Sequence, residues 1–340
     1  MIPDPKIALL IFLAIAAIAF LIGYLIKSGF WKSNFKGGYQ LKTQTEDVLK
    51  QLYHVQYSGK KATLNAMAGA LKINDKKLVA LIEYMSALEL IKVSGEIISL
   101  TDEGKDYALK IIRIHRLWEK YLSEKTGIHK SEWHKRAEKM EHALSPEETE
   151  KLYQQLGNPR YDPHGDPIPT KTGEIASLSG TPLCNLEENS QAKIIHIEDE
   201  PAVIYKQIID KKLHIGQHIK MLELDEHKVT FTSEGETYSL SNIVASNIGV
   251  KIPDTEEIFE DQRVRLSALE VGEKAKVVGI SRECRGASRR RLLDFGFING
   301  ATIETSMNSP MKEPKAYMIK NTLIALRNDQ ADLILIEKIA

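Results

Sequence analysis

Two stretches in the C-terminal half of the chain repeat one another. Residues 183–197, LCNLEENSQAKIIHI, align with residues 266–280, LSALEVGEKAKVVGI, at an offset of 83 residues. Further on, Gly216 aligns with Gly300 at an offset of 84 residues. Alternating apolar residues, one short helix and a glycine turn recur in both copies, so both copies should fold in the same way. We predict that each copy is a small β-barrel.

The length and composition limit the classes of protein that fit this chain. At 340 residues it exceeds a single ordinary core, so two or three domains are expected. The formal net charge is +0, so a nucleic-acid footprint can only be local. Cys184 and Cys284 form no CxxC pair, which argues against zinc fingers, iron–sulfur clusters and a disulfide framework. The sequence shows no nucleophile–base pair and no nucleotide-binding loop, so we do not expect an enzyme.

An uncharged apolar run of 20 residues occupies residues 7–26. At about 1.5 Å per residue, a helix of this length spans the roughly 30 Å hydrocarbon core of a bilayer. A cleaved signal peptide is the competing interpretation, but the expected positive n-region and A-x-A site are missing. Lys27, Lys32 and Lys36 follow the run, which by the positive-inside rule places the C-terminal domains in the cytoplasm. We therefore predict a single-pass protein of the cytoplasmic membrane.

From Thr45 onwards the apolar residues recur at helical spacing. TEDVLKQLYHVQY carries one apolar stripe, and ATLNAMAGALK is a second, short helix. A third helix, KKLVALIEYMSALELI, follows Asn74 or Asp75 as its N-cap. IKVSGEIISLT then predicts a two-stranded wing with Ser94 and Gly95 at its tip. This order of elements is that of a winged helix-turn-helix domain.

The third helix of that domain would read DNA. Its core-facing residues at helical spacing are Leu78, Leu81, Ile82, Met85 and Leu88. On the outer face, Lys76 and Lys77 can reach phosphate or guanine, whereas Ala80 offers at most a contact to a thymine methyl. Glu83 would repel phosphates unless it accepts a hydrogen bond from cytosine. The order of elements indicates a DNA binder, while the outer face of this helix indicates weak or altered DNA recognition.

Histidines and carboxylates recur on the helices that follow. His115 and Glu119 are separated by four residues on one predicted helix, so they share a face. Glu138, Glu141 and His142 have i, i+3, i+4 spacing on the next helix and converge in the same way. Two helices that offer imidazole and carboxylate to one space predict a divalent-metal site. Two solvated helix faces, in a chain with 27% charged residues, are the alternative.

Three segments of this region, HRLWE, HKRAEKMEH and LGNPRYDPHGDPIP, occur in an order that resembles a known family. The family is that of metal-dependent repressors of the diphtheria-toxin-repressor and manganese-regulator type, and the resemblance covers about residues 46–169. It implies a winged-helix domain and an all-helical dimerisation domain. It also implies a homodimer in which Mn²⁺ or Fe²⁺ controls binding to double-stranded operator DNA.

The resemblance implies a regulatory metal site with Glu138, Glu141 and His142 as ligands. Asp47 stands where the DNA-binding domain of the family reaches the same metal. Iron-selective members carry a cysteine in place of Glu138, so this site resembles that of the manganese branch. Carboxylates and imidazoles without thiolate suit Mn²⁺ or Fe²⁺ better than Zn²⁺. The manganese branch has an acidic residue where Lys50 stands, so one ligand is missing or Lys50 competes for the carboxylates.

A second, ancillary metal cluster is implied for His115, Glu119 and His134. His115 also matches a regulatory-site ligand of the manganese branch. In the iron-dependent repressors, an appended barrel can lend polar ligands to the ancillary metal. Residues 198–200, Glu-Asp-Glu, lie near the matching loop of the first copy. An acidic solvated loop is the alternative interpretation.

The second copy contains SRRRLLDFGFINGATIE and NTLIALRNDQADLILIE, which resemble the FeoA family that accompanies ferrous-iron transporters. The first copy resembles both that family and the barrel of the iron-dependent repressors. The resemblance implies a metal transporter as a partner of these barrels. The strongest basic cluster of the chain also lies here, at Arg282, Arg285, Arg289, Arg290 and Arg291. It suits an anionic partner or lipid surface, or serves as a solubilising face.

Together these patterns predict a multidomain α+β chain with a transmembrane helix, a winged helix-turn-helix, an all-helical dimerisation domain and two small β-barrels. The predicted boundaries are 1–30 (anchor), 31–43 (tether), 44–107 (winged helix), 108–170 (metal-binding and dimerisation helices), 171–182 (linker), 183–253 (first barrel), 254–262 (linker) and 263–340 (second barrel). The leading hypothesis is a membrane-tethered, metal-responsive transcriptional regulator. The alternative is a membrane-bound metal sensor or ferrous-iron-transport accessory protein whose winged helix does not bind DNA.

Overall fold

The computed structural model describes residues 30–177, 180–253, 263–281, 283–311 and 313–339. The chain divides into two compact units, Met1–Ile111 and Ile112–Ala340. The boundary between the units falls inside one long helix.

The described part of the first unit combines helices with a small sheet. Its elements are α1 (Phe30–Tyr57), β1 (Ala62–Thr63), α2 (Leu64–Leu71), α3 (Asp75–Ala87), β2 (Ile91–Ser94), β3 (Ile97–Leu100) and the first turns of α4 (Asp102–Lys125). The strands are hydrogen-bonded in the order β1-β3-β2. The side chains of Thr63 and Asn74 cap α2 and α3 by accepting hydrogen bonds from backbone N–H groups. The predicted order of helices followed by a two-stranded wing is present.

The core of the first unit is built from one face of each helix. Leu49 and Leu52 on α1 are buried together with Leu78 and Met85 on α3. Each buried side chain of this size stabilises the fold by roughly 1.5–3 kcal/mol. Leu88, which we expected to face the core, is 49% exposed. It lies beyond the end of α3, where the chain is already turning towards the wing.

Residues 31–43, predicted to be a tether, belong to helix α1 instead. Adjacent glycines at 37 and 38 each cost a helix about 1 kcal/mol relative to alanine. Extending an existing helix is far easier than starting one, and α1 is fixed by the buried Leu49 and Leu52. The prediction was wrong because it considered only the unfavourable helix propensity of the glycines. It did not consider that the packed helix after them can extend through them.

The predicted location in the cytoplasmic membrane is wrong. Within the ranges that the structure describes, no helix combines the length and the apolar character needed to cross a bilayer. The apolar run at residues 7–26, on which the prediction depended, lies outside the described residues.

The second unit begins with the rest of α4, followed by α5 (Trp133–Met140) and α6 (Pro146–Gln155). A capping box opens α6. Glu148 N donates to Ser145 Oγ at 3.2 Å, and Ser145 N donates to the Glu148 carboxylate at 2.8 Å. Helix α5 ends at Met140, earlier than expected, so the residues after it lie in a turn.

Two β-rich repeats complete the second unit. Repeat 1 comprises β4 (Thr181–Pro182), β5 (Gln191–Ile197), α7 (Ala202–Asp210), β6 (His218–Leu224), β7 (Lys228–Ser233), β8 (Glu236–Ser241), α8 (Asn242–Ala245) and β9 (Ile248–Lys251). Repeat 2 comprises β10 (Arg263–Arg265), β11 (Lys274–Ile280), α9 (Gly286–Asp294), β12 (Thr302–Asn308), β13 (Lys315–Ile319), β14 (Thr322–Leu326), α10 (Asn328–Ala331) and β15 (Ile334–Lys338). The sheet orders are β4-β9-β5-β6-β7-β8 and β10-β15-β11-β12-β13-β14. The same elements in the same order agree with the repeat seen in the sequence.

Each repeat is an open antiparallel sheet of six strands and not the closed barrel that we predicted. In the described part of repeat 1, the edge strands β4 and β8 do not pair with each other, and β10 and β14 behave likewise. The first strand of each repeat has only two or three residues and reaches only the last strand. The inward faces still form cores, around Phe231 in repeat 1 and around Tyr317 in repeat 2.

Candidate metal centre

Helix α4 contributes the first pair of candidate ligands. His115 Nε2 lies 3.2 Å from Glu119 Oε1, one helical turn away. Only 9% of the His115 side chain and 2% of the Glu119 side chain are exposed. A carboxylate this deeply buried is costly unless positive charge or hydrogen-bond donors surround it. The pair expected from the sequence is therefore present, and its environment demands a cation.

Helix α5 adds His134 to this pair. The ring of His134 lies 4.8 Å from that of His115, measured between centroids. Its Nδ1 atom is 3.5 Å from Glu119 Oε1, and its Nε2 atom is 3.6 Å from Glu138 Oε1. The structure thus brings together the predicted ancillary residues and places Glu138 next to them.

Glu141 and His142 follow α5 in a turn, and both are buried. His142 Nε2 lies 3.6 Å from Glu141 Oε1. The other carboxylate oxygen of Glu141 contacts His115 Nδ1. His115 therefore lies between two carboxylates, those of Glu119 and Glu141. Asp47, the remaining predicted ligand, is half-buried on α1 in the first unit, and its role stays a prediction.

A tight turn brings a further imidazole, His164, to the same place. Asp162 Oδ1 accepts hydrogen bonds from His164 N at 2.8 Å and from Asp166 N at 2.9 Å. Such a side-chain bond to the backbone stabilises a turn without help from a helix or a sheet. The side chain of His164 is 4% exposed, and its Nε2 atom is 3.8 Å from Glu119 Oε1.

Gly165 allows this turn to approach repeat 1. Its φ is +92°, and a Cβ atom added there would lie 2.1 Å from Ile195 O. The neighbouring carbonyl, His164 O, accepts a hydrogen bond from Ile197 N at 2.9 Å. A side chain at position 165 would therefore push the segment that carries His164 away from strand β5.

Two arginines of α4 fix the extended chain after this turn. Arg116 Nη1 donates to Pro167 O, and Arg113 Nη1 donates to Pro169 O, each at 2.6 Å. Arg116 Nη2 also lies 3.2 Å from Asp166 Oδ1. Although burial alone would raise it, His196 and Arg116 lower the pKa of Asp166 to about 2. The segment that carries His164 is thus held by α4, which also carries His115 and Glu119.

Repeat 1 supplies two more carboxylates, from the loop between β5 and α7. Asp199 Oδ2 lies 2.9 Å from His134 Nδ1 and 3.8 Å from His164 Nε2. Glu200 Oε1 lies 3.3 Å from His134 Nε2. The loop is therefore not merely an acidic solvated loop, because Asp199 is turned towards the buried imidazoles.

The spacing of these atoms fits one divalent cation. Bonds of about 2.1 Å put adjacent ligand atoms about 3.0 Å apart in an octahedron and about 3.4 Å apart in a tetrahedron. The contacts among Glu119, His134, His164 and Asp199 fall between 2.9 and 3.8 Å. Glu119 Oε1, His134 Nδ1 and His164 Nε2 are buried and have no hydrogen-bond partner of normal geometry in the described part of the chain. Buried polar atoms left in this way need a ligand, and a cation satisfies all three at once.

The charges of these side chains are mutually dependent. Although burial would raise it, His115, His134 and His164 lower the pKa of Glu119 well below its ordinary value. Burial would lower the pKa of His134, but the carboxylates of Asp199 and Glu119 raise it. Without a cation, a proton on His134 therefore helps to balance the carboxylates. Binding of a cation through the ring nitrogen of His134 would release that proton.

The residues predicted to contact DNA lie on α3. Lys76, Ala80 and Glu83 are exposed, and Lys77 is partly buried. Lys77 N also donates to Asn74 Oδ1, the N-cap of the helix. The structure therefore leaves the predicted reading face accessible, with its mixed charge as expected.

His164 is the candidate ligand that reasoning from the sequence missed. It lies in a proline-rich extended segment, where no helical or strand spacing connects it with His115 or His134. The signal was Asp162-Pro-His-Gly, because an aspartate two residues before a histidine and a glycine after it predict a tight turn that displays the imidazole. Asp199 was recognised only as a member of an acidic loop.

Comparison with known proteins identifies two regions. Residues 101–170 match the family described as iron dependent repressor, metal binding and dimerisation domain. Residues 264–338 match the FeoA domain. The two matches correspond to the helices that carry the metal centre and to repeat 2.

Relatives of known description match different parts of the chain. A diphtheria toxin repressor of Corynebacterium glutamicum is 26% identical over 219 residues, which cover 61% of this chain and 95% of that protein. A probable metal transport system membrane protein of Chlamydia trachomatis is 46% identical over 83 residues, or 24% of this chain. The chain spans only 18% of the length of that relative. An Fe(2+) transport protein A/Fe(2+) transporter FeoB fusion protein of Porphyromonas gingivalis is 36% identical over 77 residues, 9% of its length.

Solved structures agree with the repressor match. A manganese-dependent transcriptional repressor in complex with manganese is similar with a TM-score of 0.57 and 25% identity. The similarity covers 62% of this chain and 100% of that chain. ScaR with bound Zn²⁺ is similar with a TM-score of 0.54 and 26% identity, over 62% of this chain and 99% of that chain.

Proposed function

We propose that this chain, which joins a metal-binding and dimerisation domain of the DtxR/IdeR/MntR repressor family to a C-terminal FeoA domain, is a metal-responsive DNA-binding transcriptional regulator. The observation that carries this proposal is the buried set of Glu119, His134 and His164, completed by Asp199 of repeat 1. Three of its atoms lack hydrogen-bond partners of normal geometry within the described residues and lie at the spacing of metal ligands. We infer that the set holds Mn²⁺ or Fe²⁺.

The donor atoms support this choice of metal. The set contains imidazole nitrogens and carboxylate oxygens, which suit Mn²⁺ and Fe²⁺. A bound cation supplies the positive charge that the buried carboxylates otherwise draw from protonated His134. Most sites of this kind bind Zn²⁺ more tightly than Mn²⁺ or Fe²⁺. The number of ligands and the metal available in the cell therefore decide which ion is bound.

The second group, Glu141, His142 and Glu138, is the proposed regulatory site. Glu141 and His142 are buried, while Glu138 is about half exposed. His115 contacts both Glu119 and Glu141, so it connects this group with the buried set of Glu119, His134, His164 and Asp199, which we call the ancillary set. A metal ion bound to one group would therefore change the electrostatic potential at the other group.

A homodimer is part of the proposal. Helix α4 and helix α6 enclose a small apolar cluster around Leu117, Leu152 and Ile168. Trp118 and Tyr121 pack against this cluster and remain partly exposed. Large aromatic side chains that are half-buried in one subunit are frequent at interfaces between protein chains.

DNA capture tests the proposed function. The purified full chain would be mixed with fragments of the source genome, with Mn²⁺, with anaerobic Fe²⁺ or with chelator alone. We expect specific fragments to be enriched only when metal is present and the wild-type chain is used. The variant Glu141→Ala, His142→Ala is the matched control that should lose this enrichment.

The outcome that would overturn the proposal is equally clear. If the purified chain binds metal but no DNA fragment is enriched in a metal-dependent way, the chain is not a metal-responsive DNA-binding regulator. In that case the second candidate function gains support.

The second candidate is a metal sensor or ferrous-iron-transport accessory protein with a winged helix that contacts protein. Val79 is 39% exposed and Tyr84 is 43% exposed on α3, and Glu83 lies between them in sequence. An apolar and acidic face is better suited to a protein partner than to DNA. The similarity of one segment to a fused iron-transport protein points in the same direction. Metal-dependent binding of a transporter fragment, without DNA enrichment, would favour this function.

A further inference from the structure

Repeat 2 docks on the helices that carry the metal centre. Glu283 Oε1 lies 2.5 Å from Lys130 Nζ, and both side chains are mostly buried. Arg285 Nη1 donates to Ser123 Oγ at 3.0 Å. Gly286 lies close to the end of α4, because a Cβ atom added there would be 3.6 Å from Thr126 O.

The docking loop of repeat 2 is the counterpart of the ligand loop of repeat 1. Both loops connect the second strand of a repeat to its first α-helix. In repeat 1 the loop carries Asp199 and Glu200, and in repeat 2 it carries Glu283 and Arg285. Arg282, also in this loop, lies outside the described residues. Both copies thus turn the same loop towards the helices of the metal centre, but only the first presents carboxylates to its imidazoles.

A chain of contacts leads from Arg285 to a candidate ligand. The guanidinium carbon of Arg285 lies 5.9 Å from the centroid of the Trp133 ring, within reach of a cation–π interaction. The Trp133 ring in turn meets the His164 ring edge to face, with 5.9 Å between centroids and 60° between planes. On another side, the Tyr205 ring lies 5.4 Å from His164 at 73°. Two aromatic rings therefore contact His164. One of them, Trp133, donates from Nε1 to Ile128 O at 3.0 Å and presents its face to Arg285 of repeat 2.

A cavity of about 330 Å³ borders this chain of contacts. It is lined by His164, Trp133 and Arg285, among others. Because space remains beside the rings, close packing alone does not fix them, and the polar contacts of Arg285 gain importance.

Repeat 2 also holds repeat 1, which supplies Asp199. Arg265 Nη2 lies 3.0 Å from Glu234 Oε2 and donates to Tyr238 OH at 3.3 Å. The backbone of Gly235 packs against Val264, since an added Cβ atom would lie 2.6 Å from Val264 Cγ1. Repeat 2 thus contacts both the helices of the metal centre and repeat 1, which together form the ancillary set.

We propose that repeat 2 is a positioning element of the ancillary metal centre and acts through Arg285, which holds Trp133 against His164. The inference rests on the metal site of the proposed function and assigns a task to the FeoA domain within the same chain. Contacts that orient a metal ligand typically change metal affinity by about 10- to 100-fold. By linkage, metal bound at His164 must strengthen the docking of repeat 2 by the same factor.

The test compares Arg285→Ala with Arg290→Ala, an exposed arginine of the helix that follows Arg285, in the full chain. Mn²⁺ binding would be measured by titration calorimetry, and folding of each variant by circular dichroism. We expect Arg285→Ala to weaken binding at the ancillary site about 10-fold, while Arg290→Ala binds as the wild type does. Equal affinities of the two folded variants would overturn the proposal.

A charge exchange at the second contact gives an independent readout. Lys130→Glu alone should weaken Mn²⁺ binding, because it places two carboxylates together at Glu283. Lys130→Glu combined with Glu283→Lys should restore it. A double variant that binds no better than the single variant would count against docking as the cause.

Hydrogen exchange of the wild-type chain completes the test, since it needs no variant that could misfold. Addition of Mn²⁺ should slow exchange of backbone amides in α9, and His164→Ala should abolish this protection. Protection that does not depend on Mn²⁺ would refute the linkage. The proposed function fails separately, through absence of Mn²⁺ binding or of metal-dependent DNA enrichment in the wild type.

Discussion

The Nδ1 atom of His134 lies 2.9 Å from the Oδ2 atom of Asp199, across the junction of a helical domain and a β-rich repeat. Neither body contains the full ligand set by itself. The ancillary set exists only while repeat 1 is docked on α4 and α5. Any change that separates repeat 1 from the helical domain should therefore lower metal affinity before it causes unfolding.

Removal of His164 tests whether the missed imidazole is a ligand. We expect His164→Ala to weaken Mn²⁺ binding at the ancillary site by about 100-fold or more, because losing outer-shell partners of a ligand already costs about 10- to 100-fold. Titration calorimetry measures the affinity, and His129→Ala, at an exposed histidine, is the control. Unchanged affinity in His164→Ala would exclude the residue from the site.

Substitution of Gly165 tests the turn that carries His164. With φ at +92° and only 2.1 Å to Ile195 O, an alanine there is both strained and crowded. We expect Gly165→Ala to lower the free energy of unfolding by about 2–3 kcal/mol and to weaken Mn²⁺ binding. Gly127→Ala, where a Cβ atom meets open space, should change stability by less than about 0.5 kcal/mol. Urea unfolding of both variants measures the difference, and equal stabilities would contradict the assignment.

The positive charge of Lys76 and the negative charge of Glu83 on α3 should have opposite effects on DNA-binding affinity. Lys76→Ala should weaken binding to any enriched fragment and reduce the salt slope by about 1, because one phosphate contact is lost. Glu83→Ala should strengthen binding, because it removes a charge that repels phosphates. Fluorescence anisotropy at several salt concentrations measures both effects. If neither variant changes the affinity, α3 is not the reading helix.

Acidification should weaken the contact between the two repeats at His214. Burial lowers the pKa of His214 to about 4, although Glu283 opposes this shift. Its Nε2 atom lies 3.1 Å from Ser281 Oγ, and its surroundings include Glu234, Arg265 and Lys130. A histidine with a depressed pKa is neutral in the folded state, so its protonation opposes folding.

The sign of the effect follows from the two pKa values. The unfolded chain takes up a proton near the ordinary pKa of about 6.5, whereas the folded chain does so only near 4. Stability from this group is therefore complete above about pH 6.5 and is lost as the pH falls towards 4. Between pH 7 and pH 5 the loss is about 2 kcal/mol. Urea unfolding at both pH values should show this extra loss for the wild type relative to His214→Gln, and equal losses would contradict the assignment.

Regular patterns let the sequence predict the helical part of the centre. His115 and Glu119 were found because a helix places residues four apart on one face. The identical sheet orders of the two repeats follow from an alignment that needs only the sequence. In each case the relevant residues are close in sequence or belong to a repeating pattern.

Long-range features of the site could not be predicted in this way. Asp199 approaches His134 because repeat 1 docks on α5, and no local pattern encodes that docking. His164 lies in an irregular segment whose course depends on bonds from Arg113 and Arg116. The helical course of residues 31–43 was missed for a related reason, since it depends on packing further along α1 and not on the glycines themselves.

The distance along the chain between His115 and Asp199 gives a bound ion the character of a covalent cross-link. Glu119, one turn after His115, belongs to the same set as Asp199, so an ion held by Glu119 and Asp199 would close a loop of about eighty residues, which the unfolded chain lacks. For a covalent bridge around a loop of this length, chain entropy alone amounts to about 4.5 kcal/mol. Metal binding would therefore stabilise the second unit against unfolding and proteolysis. The supply of metal in the cell would then affect how long the protein survives, as well as the net charge of the metal centre.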